Sequence, residues 1–251
     1  MENFVDHARN AKGGLLGTWV KLPSLEVVQL LGHAGFDFVV VDMEHAPLAL
    51  DRACELVFAA QAMGMGALVR LPDHAGTTIQ PLLDAGADGL LVPRITDLDV
   101  ARRITARMVF GPAGERGLGF TARAGIWGLG AIPAYLERGD RQCLRMIQLE
   151  DWATLEATAD FAALEHVTGV FIGHGDLFLS SGKPPTDPEV KALTARMLAA
   201  TKTAGVLSGV AASSVADARA YLEAGFSLVM LSNDTSLLGR AAMEAVKGTR
   251  G

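Results

Sequence analysis

The chain has 251 residues, half of them hydrophobic and 20% charged, with a net charge of −6. That is enough apolar material for a large core. Acids and bases are dispersed, so no basic stretch can track a phosphate backbone and nucleic acid is excluded as a partner. No apolar run spans a membrane without charges, Met1–Asp6 lacks the start of a signal peptide, and Cys54 and Cys143 fit no metal or redox spacing. A soluble, cytoplasmic protein with no membrane partner is expected.

Taken in chain order, short apolar runs at Leu15–Val20, Phe38–Val41, Ala67–Leu71, Gly89–Val92, Leu144–Leu149, Val167–Ile172, Val206–Val210 and Leu228–Leu231 read as strands. They are nearly continuous rather than alternating, the mark of strands buried on both faces in a parallel sheet. Amphipathic stretches with helical period lie between them, at Ser24–Ala34, Leu50–Met63, Thr77–Ala85, Asp97–Met108, Ala153–Ala163, Glu189–Ala204, Ser214–Ala224 and Leu237–Val246. One stop signal recurs: Ala34-Gly35-Phe36, Ala85-Gly86-Ala87 and Ala224-Gly225-Phe226 each close a helix before a strand. A glycine there takes the left-handed conformation and lets the next residue pack back. Eight strands alternating with helices predict an α/β chain, a single (β/α)8 TIM barrel over residues 1–251. An open doubly wound sheet is the alternative, but no Gly-x-Gly-x-x-Gly follows the first strand.

The connection between the fourth and fifth strands is the longest and holds Gly111-Pro112-Ala113-Gly114-Glu115-Arg116-Gly117-Leu118-Gly119. It reads as an ordered rim or a subunit-contact loop in preference to a phosphate cradle, since it does not join a strand directly to a helix N-terminus.

In such barrels chemistry gathers at the C-terminal ends of the strands. There the sequence places Asp42-Met43-Glu44-His45, Arg70, Gln148-Leu149-Glu150-Asp151, Gly173-His174-Gly175-Asp176 and Ser232-Asn233-Asp234. Glu150 and Asp176 end adjacent strands. Two carboxylates that close repel unless one is protonated or a cation lies between them. They read as ligands of a hard divalent ion, as an acid/base pair, or as salt-bridge partners. Arg70 suits a substrate carboxylate or an oxyanion, or else an ion pair with Asp42 or Glu44. His45 follows two acids, either of which can fix its tautomer. His174 either neighbours the metal or shapes its turn. No lysine ends a strand inside the barrel, though Lys21 lies just past the first, so an imine on lysine is not expected.

Several segments together resemble the HpcH/HpaI aldolases. They are Gly35-Phe36-Asp37, Asp42-Met43-Glu44-His45-Ala46-Pro47, Val69-Arg70, Leu82–Ala87, Leu91-Val92-Pro93, Pro112–Gly117, Gln148-Leu149-Glu150 and Phe171–Asp176, spread over about Gly14 to Ala242. The resemblance implies a phosphoenolpyruvate/pyruvate-type barrel that cleaves 4-hydroxy-2-oxo acids reversibly to pyruvate and an aldehyde through a metal-stabilised enolate. It implies Glu150 and Asp176 as metal ligands, for Mg²⁺ or Mn²⁺ ahead of Co²⁺ or Zn²⁺. It further implies Arg70 facing the enolate oxygen, and His45, oriented by Asp42, as acid/base. Gln148 and the backbone near Gly173 and Asp176 become pyruvate contacts, and Trp19, Glu44 and Asp84 supporting residues. It implies a homo-oligomer, trimeric or hexameric. One position departs: the family usually has proline where this chain has His174. The alternatives are a citryl-CoA-type lyase and a non-catalytic barrel that binds a small acid.

Overall fold

The apolar runs pair side by side in chain order. In the computed structural model, which describes residues 3–250, they are β1 Leu15–Val20, β2 Phe38–Asp42, β3 Gly66–Arg70, β4 Gly89–Val92, β5 Leu144–Leu149, β6 Gly169–Ile172, β7 Leu207–Ala212 and β8 Leu228–Asn233. Every pair is parallel and β8 returns to β1, with Leu15 opposite Leu228, so the barrel is closed and has no open edge.

The helices are α1 Phe4–Asn10, α2 Leu25–His33, α3 Leu50–Ala62, α4 Ile79–Asp84, α5 Leu98–Ala106, α6 Ile132–Arg141, α7 Trp152–Glu156, α8 Thr158–Ala162, α9 His174–Ser181, α10 Pro188–Ala204, α11 Val215–Ala224 and α12 Asp234–Arg250. Side-chain caps fix where several begin. Ser24, Asp97, Asp151, Asp187 and Ser214 each accept a first-turn N–H of α2, α5, α7, α10 and α11. The three recurring stops close as their sequence implies. Gly35, Gly86 and Gly225 sit at φ +92°, +91° and +92°. The next residue's N–H reaches back five positions, Phe36 to Leu31, Ala87 to Leu82 and Phe226 to Tyr221.

Three helices were not expected from periodicity: α1, α6 and α9. The single helix expected over Ala153–Ala163 is two short ones, α7 and α8, that meet at Ala157. Among the described residues no helix is long and apolar enough to cross a membrane.

Apolar runs conceal two different faces. Alternate residues point outward and pack under the helices, among them Val39, Val41, Val69, Leu90, Ile147, Val170 and Val229. The others fill the lumen: Leu15, Phe38, Val40, Leu68, Leu91, Leu144, Met146, Phe171, Leu207, Leu228 and Met230. Phe4 of α1 plugs the N-terminal end, its ring 5.7 Å from that of Phe38 and so close over Gly66 that a side chain there would strike it. At the other end the inward positions turn polar, to Asp42 on β2, Arg70 on β3 and Gln148 on β5, with Trp19 on β1 beneath them. Two apolar layers thus form a rigid floor for a polar mouth.

Candidate active site

Asp42 and Arg70 are direct neighbours in the β2–β3 register. The guanidinium grips the carboxylate with both edges, Nε to Oδ1 at 2.9 Å and Nη2 to Oδ2 at 2.7 Å. Its Nη1 lies 3.1 Å from Glu44 Oε2, and its plane stacks 4.3 Å above the Trp19 ring. Trp19 in turn stands edge-on to Phe171, 5.8 Å away. Such a forked, stacked arginine has one orientation only. It retains one unused N–H on each Nη to offer to a ligand in the mouth. Burial opposes ionisation of Asp42, yet the Arg70 hydrogen bonds and charge, the His45 N–H and Lys21 together hold its carboxyl below the usual range.

Lys21, just past β1, reaches Asp42 Oδ2 at 3.2 Å. Its backbone N–H and that of Leu22 are both held by Asp234 Oδ2, at 2.9 and 2.8 Å, where β8 meets β1. Lys21, expected just past the first strand, thus sits at the margin of the mouth with its ammonium paired to a carboxylate.

Asp42 also shapes the loop that follows it. Oδ1 accepts the backbone N–H groups of Glu44 at 3.2 Å and His45 at 3.1 Å. So Asp42 holds the main chain of His45, while the imidazole stands exposed with Nε2 3.7 Å from Glu44 Oε2. The residue beside the imidazole is Glu44, and Asp42 is committed to Arg70. Glu44 is itself clasped on its other oxygen by Arg94, Nε to Oε1 at 3.1 Å.

The second cluster stands on β5 and α9. Glu150 follows β5 and is 6% exposed. Its Oε1 accepts the Arg94 backbone N–H at 2.7 Å and its Oε2 accepts Gln148 Nε2. Arg94 adopts a left-handed backbone, φ +51°, to deliver that N–H. A non-glycine residue held there stores about 1 kcal/mol of strain, typical of a backbone pinned at a functional site. Arg94 thereby ties Glu150 to Glu44, a link that sequence reasoning missed because arginine rarely takes this conformation.

Asp176, in the first turn of α9, lies close enough to Glu150 for the charge of one carboxylate to act on the other. Burial above all, with the Asp176 charge and hydrogen bond added, pushes the Glu150 carboxyl up to about 7. Gly173 presses against the same spot: a Cβ there would lie 2.6 Å from Glu150 Oε2 and 3.0 Å from Gln148 Nε2. The Gln148 side chain, 3% exposed, spends its amide N–H on Glu150 and leaves Oε1 with no hydrogen-bond partner. A buried acceptor left unsatisfied is costly unless a ligand donor or water meets it. Two hard carboxylates and a spare amide oxygen fit a divalent cation that keeps several waters. Among the described residues no third His, Cys, Asp or Glu joins them, so water and substrate would supply the rest of the shell.

His174 turns away from this pair. It is buried, stacks on Tyr221 at 6.1 Å and meets Thr194 Oγ1 through Nε2 at 3.0 Å. Burial pushes its pKa down to about 4, so it is neutral.

Asp84 is not brought to the mouth within one chain. It ends α4, which runs back to the N-terminal end of the barrel, where it pairs with Arg116 at 3.0 Å and accepts from Tyr135 at 3.3 Å. The Gly-rich stretch around Gly117–Gly119 lies there too, after α5 instead of after a strand. Gly119 donates its N–H to Tyr135 Oη.

A closed parallel barrel whose C-terminal mouth gathers a fixed arginine, buried carboxylates and an unsatisfied amide has the layout of a barrel enzyme. The HpcH/HpaI aldolase/citrate lyase family model matches residues 15–241, and the chain belongs to this family. It is 32% identical over 238 residues to a hydroxypyruvate/pyruvate aldolase of Chromohalobacter salexigens, covering 94% of this chain and 93% of that one. It is 34% identical over 245 residues to a 4-hydroxy-2-oxo-heptane-1,7-dioate aldolase of Escherichia coli, covering 96% and 93%. A crystal structure of an HpcH/HpaI aldolase/citrate lyase family protein from Burkholderia cenocepacia superposes with TM-score 0.89 at 32% identity, covering 98% of each chain.

Proposed function

We propose that this protein is a divalent-metal-dependent pyruvate aldolase that splits 4-hydroxy-2-oxo acids into pyruvate and an aldehyde and can run in reverse. The observation that carries the reading is the Glu150–Asp176 pair set beside an arginine whose position is fixed. The carboxylates repel each other in a buried site, and a cation is the partner that lets both ionise. The aldolase names of relatives at 32–34% identity support the same reading.

Glu150 and Asp176 would hold the ion, which when bound acts as a Lewis acid on the 2-oxo group and lowers the barrier to the enolate. Mg²⁺ or Mn²⁺ suits a site with two protein carboxylates better than Zn²⁺, which favours three or four protein ligands. Arg70 presents its remaining N–H groups to the enolate oxygen as negative charge develops there. Because Asp42, Glu44 and Trp19 already fix the guanidinium, little reorganisation is needed at that moment. Gln148 Oε1 and the N–H groups at the start of α9 orient the substrate. His45, exposed on its loop beside Glu44, is placed to exchange a proton with the 4-hydroxyl directly or through water.

The reading includes self-association, because Ile126, Trp127, Leu129 and Ile132 expose apolar side chains on the connection before and into α6. A panel of 4-hydroxy-2-oxo acids, assayed for pyruvate release beside acyl-CoA esters, tests the function. Turnover confined to the free acids is expected. Turnover of the thioesters alone would replace this reading with a citryl-CoA-type lyase.

A further inference from the structure

The turn that carries Asp176 reads Gly173-His174-Gly175-Asp176. Glycines on both sides give this backbone more freedom than any other residue type would. Gly175 has open space around it, with nothing within 4 Å of where a Cβ would sit. Gly173 cannot be replaced, because a Cβ there would collide with Glu150 and Gln148. The close approach that brings the backbone against Glu150 therefore also loosens the segment that must place Asp176. His174 is the one side chain between the two glycines, and it is the one that is tied down.

The tie has a definite polarity. Thr194 on α10 gives its single hydroxyl hydrogen to the Val190 carbonyl at 2.8 Å. It can then only accept from His174, so Nε2 carries the hydrogen of that 3.0 Å bond. The ring also lies nearly parallel to Tyr221 on α11, at 22° between planes. One side chain thus joins the first residue of α9 to two other helices, both embedded in the outer core.

We propose that His174 is a positioning residue for Asp176: its bond to Thr194 and its stack on Tyr221 lock the glycine-flanked first turn of α9 and so fix the Asp176 carboxylate against Glu150. The role rests on the reading of Glu150 and Asp176 as cation ligands. It acts through geometry, since the imidazole points away from the pair.

Mn²⁺ binding to the full-length protein, measured by titration calorimetry together with the unfolding midpoint, tests it. His174→Phe keeps a ring against Tyr221 and deletes the N–H. It should weaken Mn²⁺ affinity by about tenfold, the lower end for residues that orient a ligand. His174→Gln, whose amide N–H has similar reach but which lacks the ring, should bind Mn²⁺ more tightly than His174→Phe and more weakly than the wild type. Thr194→Val removes the acceptor, together with the hydroxyl's bond to the Val190 carbonyl within α10, and should loosen Mn²⁺ like His174→Phe. It decides the matter if His174→Phe fails to fold. Gly175→Ala added to His174→Phe stiffens the open side of the turn and should recover part of the loss. A lowered unfolding midpoint with Mn²⁺ affinity unchanged in the folded variants would reduce His174 to a packing residue and overturn the proposal alone. A wild-type protein that binds no Mn²⁺ would overturn the ligand reading as well.

Discussion

Desolvation raises the proton affinity of two carboxylates, the partly buried Asp88 and the buried Glu150, which stand at opposite ends of the barrel. Asp88 precedes β4 at the N-terminal end. Its Oδ2 accepts Ala67 N–H at 2.8 Å and Gln61 Nε2 at 3.1 Å, and the Arg123 charge favours it further. Nearby, buried Arg145 is spent in the same way on the carbonyls of His166 and Asp140, each at 2.7 Å. These groups find their hydrogen-bond partners within the fold. Glu150, at the C-terminal mouth, faces a second carboxylate, and Gln148 beside it keeps an unused acceptor. Burial with partners stabilises structure, whereas burial with a like charge leaves a site that only a ligand completes.

Mutation should separate the two carboxylates most sharply. Glu150→Ala combined with Asp176→Ala should abolish metal binding and pyruvate release, by more than about 10³-fold, while circular dichroism shows a folded barrel. Asp88→Asn should leave turnover within about threefold and lower the unfolding midpoint, because it disturbs a structural bond only. Equal losses in the two proteins would erase the distinction.

Arg70→Ala should lose on the order of 10²–10³ in kcat, as removal of one oxyanion donor does. His45→Ala should lower kcat by about 10² while metal affinity survives. Loss of the metal in His45→Ala would instead make His45 a ligand.

The smallest effect concerns pH. In the metal-free protein Glu150 holds a proton below about 7. Binding a cation must expel it, so affinity should fall by about tenfold per unit as pH drops below 7, with proton release visible in buffers of different ionisation enthalpy. The same shift has a stability consequence of opposite sense. The folded carboxyl titrates above its unfolded value of 4.5, so the metal-free fold binds more protons than the unfolded chain between 4.5 and about 7. Its stability should rise as pH falls through that window, and Glu150→Gln should remove the rise. Asp88 titrates in the same direction, so the difference between the two proteins isolates Glu150.

Much of this was legible in the sequence. Strands buried on both faces show as unbroken apolar runs, and strand ends in a barrel mark the mouth, so Asp42, Arg70, Gln148 and Glu150 stood out without coordinates. Which way Asp42 turns was not legible. It depends on the β2–β3 register, which sets Asp42 beside Arg70, 28 positions away, and leaves His45 to Glu44. Arg94 was visible at the end of the fourth strand, but its role was not, because its contribution is a backbone N–H in a conformation its side chain disfavours. The helix α9 was hidden by its glycines, which read as loop, and His174 could not be placed until α10 and α11 were seen to flank it. Asp84 carried a role implied by resemblance, and α4 runs it to the opposite end of the barrel.

On the proposed mechanism this mouth makes a pyruvate enolate with a cation held by Glu150 and Asp176. Exchange of the pyruvate methyl protons in D₂O, followed by proton NMR, reports that step without any aldehyde. Protein stripped by a chelator should show no exchange, and Mg²⁺ or Mn²⁺ should restore it in the wild type but not in the Glu150→Ala, Asp176→Ala double variant. Exchange at full rate in the stripped protein would contradict the account, as would a borohydride-trapped pyruvate adduct on Lys21.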